Sequence, residues 1–220
     1  IEAEIPDVSF GVGTFADFPV GPYGASGDHP FTLLLPMTAS LSDVQGAVNG
    51  IRLGNGRDEP ESHVEAIYQL ATGEGLGGYV QASFGCPGGG AGYPCFRPEA
   101  LPIVLLFSDA PMHNGPGGSQ PYSGIISPVP HTYAEARAAL AAIGARVLGF
   151  DSGEGQGAPD LRVLATDTGS VGTDAQPLVF DIGRSGQRLG SGVVEAMKTF
   201  ASPCSAVPWD RRLHPRSTRG

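Results

Sequence analysis

The stretch "LPIVLLFSD", residues 101–109, constrains the fold more than any other part of the chain. Apolar residues follow one another without polar alternation until Ser108. Such a run fits a strand covered on both faces, as in a parallel sheet. Parallel strands need crossover connections, and helical patterns follow. Thr132 and Glu135 have capping-box spacing before a helix whose Ala136, Ala139, Leu140 and Ile143 share one face, and Gly144 stops it. "ARVLGFD" (145–151) is the next strand, and Leu161, Leu164 and Ala165 mark the next helix. "PLVFDI" (177–182) is a last strand, followed by a helix marked by Val193, Ala196, Met197 and Phe200. This alternation predicts βαβ units with right-handed crossovers. In such sheets a functional site lies at the carboxyl ends of the strands. Asp109 and the loop "APMHNGPGG" fall on that edge.

The first hundred residues read differently. "VSFGVGTFA" (8–16) and "FTLLLPM" (31–37) are strands joined by a long Gly/Pro loop, which fits an antiparallel hairpin at a sheet edge. "SLSDVQGAVNGI" is a short helix with Ser42 and Gln45 at capping-box spacing. Val64, Ile67, Tyr68 and Ala71 mark an amphipathic helix, and 74–100 is glycine-rich loop. The expected fold is therefore α/β, a doubly wound, mostly parallel sheet with an antiparallel edge hairpin.

Net charge is −9, and the last ten residues hold four of the 13 Lys and Arg and no acid, so 22 acids face nine bases in residues 1–210. That balance argues against a nucleic-acid partner, which needs a basic footprint. No apolar run reaches the ~18 residues of a membrane span. The chain starts at Ile1 without a signal peptide, and reads as a fragment or a processed product. Cys86 and Cys95 flank "PGGGAGYP", a loop flexible enough for a disulfide, which would place the chain in an oxidising, extracytoplasmic setting. Two free buried thiols are the other reading, and Cys204 is left over.

The chemistry concentrates in "RDEPES" (57–62) and at Asp109. Glu61 opens a helix behind Pro60, where an acid complements the helix dipole. Asp109 has a plain reading as a turn or N-cap residue. If these carboxylates meet at one edge they repel unless a cation joins them, and oxygen donors suit Mg²⁺, Ca²⁺ or Mn²⁺. His113 and Asn114 are candidates to face the site from the next loop, with a solvated loop histidine as the plainer reading. Asp28 and His29 read as surface residues. "DSGEGQG" (151–157) fits neither phosphate-loop pattern, and "GRSGQRLGSG" (183–192) is no nucleophile elbow.

Taken in order and at these distances, "VSFGVGTFADFPVGPY", "GRDEPES" and "LPIVLLFSDAPMHNG" resemble a von Willebrand factor A domain, nearest to the I-like variety of integrin β subunits. The resemblance covers about residues 5–202, and residues 203–220 read as an unstructured tail. It implies that Glu61 and Asp109 bind Mg²⁺ or Mn²⁺ with one open position, which a partner's carboxylate fills. It also implies a neighbouring Ca²⁺ site using Glu61, Asp58, the carbonyl of Pro60, and Asp17. The family places an Asn where this chain has Gly56, with Asn55 one place off. The family's first central strand, carrying D-x-S-x-S, and its first helix are missing from the sequence. A gap is therefore expected between strands 8–16 and 101–108. The implied function is a metal-ion-dependent adhesion module for a protein ligand with an exposed carboxylate, extracytoplasmic and not an enzyme. One alternative is a metal-assisted hydrolase with His113 as general base. Another is a structural A domain without metal.

Overall fold

The computed structural model describes residues 7–204, except 53, 55 and 154, without the side chains of 197–204. In chain order the elements are β1 (Phe10–Thr14), β2 (Thr32–Thr38), α1 (Leu41–Asn49), α2 (His63–Thr72), β3 (Ile103–Ser108), a 3-10 turn (Pro116–Gly118), α3 (Tyr133–Ala142), β4 (Arg146–Asp151), α4 (Ala158–Asp167), β5 (Val179–Asp181) and α5 (Leu189–Cys204). The fold is α/β, and its strands form two sheets. β3, β4 and β5 are parallel in that order, with Ile103 opposite Arg146, Ser108 opposite Asp151, and Gly149 opposite Val179. β1 and β2 form a separate antiparallel pair. No ladder joins β1 to β3, so the hairpin is a sheet of its own rather than the edge of a continuous one.

Helices cover both faces of the parallel sheet. Val104 and Leu106 of β3 and Val147 of β4 pack against Val64 and Ile67 of α2, Leu140 of α3, and Leu161 and Leu164 of α4. On the other face Leu148 and Phe150 meet Ile182 and Ala196 of α5. Gly149 belongs to the first face, where a Cβ would come within 2.9 Å of Leu161 Cβ, so its lack of a side chain lets α4 approach. The strand buried on both faces is thus β4, not β3. β3 lies at the edge of its sheet, with Ile103 and Leu105 only half-buried and Phe107 43% exposed.

Local signals explain the element ends. α3 has both halves of its capping box between Thr132 and Glu135, and Gly144 follows it at φ 66°. α1 is capped by Ser40, whose hydroxyl accepts from Asp43 N, and not by Ser42. α2 is buried nearly all round, beyond the one-sided stripe its sequence predicts. Its polar positions are used to fasten neighbours. Buried Glu65 accepts the backbone N–H and the Nδ1–H of His131, both at 2.9 Å, and the side-chain amide of Gln69 at 2.8 Å. Gln69 Oε1 in turn accepts Gly75 N at 2.8 Å. Cys86 and Cys95 are disulfide-bonded, with Cα atoms 5.3 Å apart.

Candidate metal centre

Three loops converge in front of α2: 15–31 after β1, 56–62, and 109–123 after β3. Ser62, fully buried, ties the first two. Its N–H donates to Ala16 O at 3.0 Å, and its hydroxyl reaches Ala16 O at 2.6 Å and Pro30 O at 2.9 Å. The N–H groups of Arg57 and Asp58 both donate to Tyr23 O. Glu61 joins the third loop as a strand would: its N–H donates to Pro111 O at 3.0 Å and its carbonyl accepts His113 N at 2.9 Å. Asp160, in the first turn of α4, holds Met112 N at 2.9 Å. Gly153 and Gly157 lie against the backbone of Asp109 and Ala110 so closely that a Cβ at either would collide. Gly153 and Gly157 therefore serve backbone packing, whereas Gly155 faces open space and adopts φ 96°.

This scaffold gathers charge. Asp17 is 1% exposed; its Oδ1 accepts Phe18 N at 2.6 Å and Tyr122 OH at 2.5 Å. Its Oδ2 has no hydrogen-bond donor, although His113 Nε2 lies 3.3 Å away without the geometry of a bond. Asp58 Oδ2 is 3.0 Å from the same Nε2, while its Oδ1 is buried with no partner. Glu61 Oε2 is likewise buried and unpartnered. Burial first, then Asp17, Asp28, Asp58 and Asp109, push the Glu61 carboxyl up to about 8. Burial also raises Asp17 to about 6, against the hydrogen bonds from Tyr122 and Phe18. Asp109 sits exposed at the end of β3 and contributes the smallest of these charge effects on Glu61. Pro60 is half-buried between Asp58 and Glu61. Asn55 lies outside the described residues, and a Cβ on Gly56 would stand 3.4 Å from Glu61 Oε1.

Two histidines belong to the site. His63, fully buried, donates Nδ1–H to Glu61 O at 3.0 Å and faces Ser108 Oγ through Nε2 at 2.5 Å; burial pushes it down to about 4, so it is neutral. His113 is 4% exposed, not the solvated loop histidine its sequence context favours. Its Nδ1 is 2.8 Å from Gln120 O. A carbonyl only accepts, so Nδ1 carries the proton. In the neutral ring Nε2 is then a lone pair aimed at two carboxylates. That arrangement is stable only with a cation between them, either a second proton or a metal ion. Asp17, Asp58 and His113 could hold a metal, since one donor atom from each lies within 4.8 Å of the others. Asn114 is spent on the loop itself, with its amide donating to His131 O and accepting Tyr122 N. Asp28 is buried rather than superficial and accepts Ala25 N at 2.6 Å.

A separate cleft opens at the carboxyl ends of β4 and β5, lined by Asp151, Asp181, Arg162, Arg184 and Arg188, and includes none of the carboxylates of the loop cluster. No protein-family model matches the chain, and no curated protein matches it. Among the described residues no helix is long and apolar enough to cross a membrane.

Proposed function

We propose that the chain is a metal-ion-dependent binding module that captures an exposed carboxylate of a protein partner through a divalent cation. One observation carries this reading: three carboxylate oxygens, Asp17 Oδ2, Asp58 Oδ1 and Glu61 Oε2, are buried with no donor. Buried carboxylates without partners are costly, and a cation removes both desolvation and mutual repulsion. Oxygen donors at a loop edge suit Mg²⁺ or Mn²⁺, with a second divalent ion beside it.

In the A-domain reading Glu61 and Asp109 hold the main ion, and the exposure of Asp109 leaves that ion a face toward a partner. Asp17, Asp58 and the carbonyl of Pro60 serve the neighbouring position. The disulfide fits an extracytoplasmic setting. The hydrolase alternative gains no support, because His113 is buried with Nδ1 against Gln120 O and Nε2 facing Asp58 and Asp17 rather than open solvent.

Thermal melting in chelator and then in Mg²⁺, Mn²⁺ or Ca²⁺ tests the reading. An ion that binds only the folded chain adds about 2.7 kcal/mol at one hundred times its dissociation constant. Asp-bearing peptides are expected to bind in the presence of the ion and their Asn counterparts are not. Absence of any ion-dependent shift, with Glu61→Ala plus Asp109→Ala leaving peptide binding unchanged, defeats it.

A further inference from the structure

We infer that Asp17, Asp58 and His113 form a site that selects a first-row transition ion of the Zn²⁺ and Co²⁺ kind over Ca²⁺ and Mg²⁺. The inference rests on the proposed function only in that the loop cluster holds cations. The ion class comes from this chain's own donors.

The nitrogen of His113 sets the ion class. Carboxylate and carbonyl oxygens suit Mg²⁺ and Ca²⁺, whereas imidazole favours the later first-row ions. His113 brings Nε2 within 3.0 Å of Asp58 Oδ2 and 3.3 Å of Asp17 Oδ2. Ligands at about 2.0–2.1 Å from one tetrahedral ion stand roughly 3.3 Å apart, so these separations already match the edges of such a shell.

His113 and Asp17 are each held from behind. A histidine that ligates metal nearly always gives its other ring N–H to a carbonyl or carboxylate, which sets the tautomer. His113 does this at Gln120 O, 2.8 Å away. Its ring is held by Tyr122, stacked at 4.2 Å between centroids, and by the edge-on ring of Tyr23 at 5.2 Å. Asp17 is saturated at Oδ1 by Tyr122 OH and Phe18 N, which turns the unpartnered Oδ2 toward His113. One tyrosine therefore orients both ligands. The third ligand, Asp58, keeps 30% of its side chain exposed, giving the ion a route from solvent and leaving a position for water or a partner group. Three protein donors with one open place is how zinc is held where it stays reactive.

The experiment is calorimetric titration of chelator-stripped protein with Zn²⁺, Co²⁺, Ca²⁺ and Mg²⁺, for the wild type and His113→Asn. The wild type is expected to bind Zn²⁺ more than about tenfold tighter than Ca²⁺, and His113→Asn to lose that preference while keeping Ca²⁺ within a few-fold. Nitrogen NMR of the unmutated protein gives a second readout: Zn²⁺ shifts Nε2 of His113 and leaves Nδ1 as the protonated nitrogen. Equal affinity for Zn²⁺ and Ca²⁺, an unchanged order in His113→Asn, or an Nε2 signal indifferent to Zn²⁺ overturns the inference. In each of those outcomes Ca²⁺ or Mg²⁺ binding still upholds the proposed function. If no divalent ion binds at all, both readings fall.

Discussion

The parallel sheet with its helices and the loop cluster in front of α2 are both buried, but by different chemistry. Around β4 the interior is aliphatic and aromatic, with Leu140, Leu148, Phe150 and Leu164 wholly inaccessible. In front of α2 it mixes the buried rings of Phe18, Tyr23 and Phe31 with many polar groups. Asp17, Asp28, Ser62, His63, Glu65, Gln69 and His113 are seven of the ten buried polar residues described. The first region is held by area removed from water, which is non-directional. The second is held by hydrogen bonds between loops distant in sequence, so its stability depends on each partner and on charge. A binding site can be rebuilt in such a region without disturbing the sheet that carries it.

The sharpest way to break this contrast is to damage each side separately. Phe150→Ala is expected to cost about 3–5 kcal/mol in urea unfolding, because the ring is fully enclosed between Phe107, Phe180 and the α5 face. The loss should be the same with and without divalent ions. A cost below ~1 kcal/mol would show that this core relaxes as freely as the loops.

Charge should govern the other side. Burial and neighbouring acids raise Glu61 from 4.5 to about 8, so its ionisation opposes folding in metal-free protein. Its contribution to stability is complete below pH 4.5 and is lost as pH rises through about 8. Asp17 adds a loss of the same sign between 3.8 and about 6. In chelator, stability is expected to fall by on the order of 1–3 kcal/mol across this range, less than full linkage because water reaches part of Glu61. Glu61→Gln should flatten the upper part of the slope. A pH-independent melting temperature in chelator would contradict the charge argument.

Ser62→Ala tests the neutral fastening of the same loops. It removes a buried hydroxyl donor from Ala16 O and Pro30 O, and about 1–3 kcal/mol should be lost. Amide exchange should rise in loops 15–31 and 56–62 before it rises in β4. Thr132→Ala is the smallest change. Loss of the capping box of α3 should cost ~0.5–2 kcal/mol and leave ion binding untouched.

Much of the sheet region was legible because its signals are local. Periodicity placed α3, α4, β4 and β5, and the Thr132 and Glu135 box and Gly144 set the ends of α3. The expectation that 101–109 is covered on both faces failed because an apolar run reports how greasy a strand is, not how many neighbours it has. Leu148 and Phe150 sit in a less continuous run than "IVLLF", yet among the described strands β4 alone pairs on both sides. In the loop cluster, Glu61, Asp58, Asp17, Asp109 and the His113 position were visible as residue types. The burial of His113 and Asp28 was not, and nothing in the spacing of Tyr122 pointed to Asp17, 105 positions away.

The sequence by itself determined the element types, the crossover pattern and the excess of acid at one edge, since hydrophobic period, capping residues and charge are properties of short segments. Only the tertiary structure decided that β1 and β3 stand in separate sheets, that α2 is enclosed nearly all round, and that Nε2 of His113 meets two carboxylates. Those facts depend on which distant backbones approach, and Ser62, Glu65 and Gly153 set that approach through contacts that no local pattern encodes.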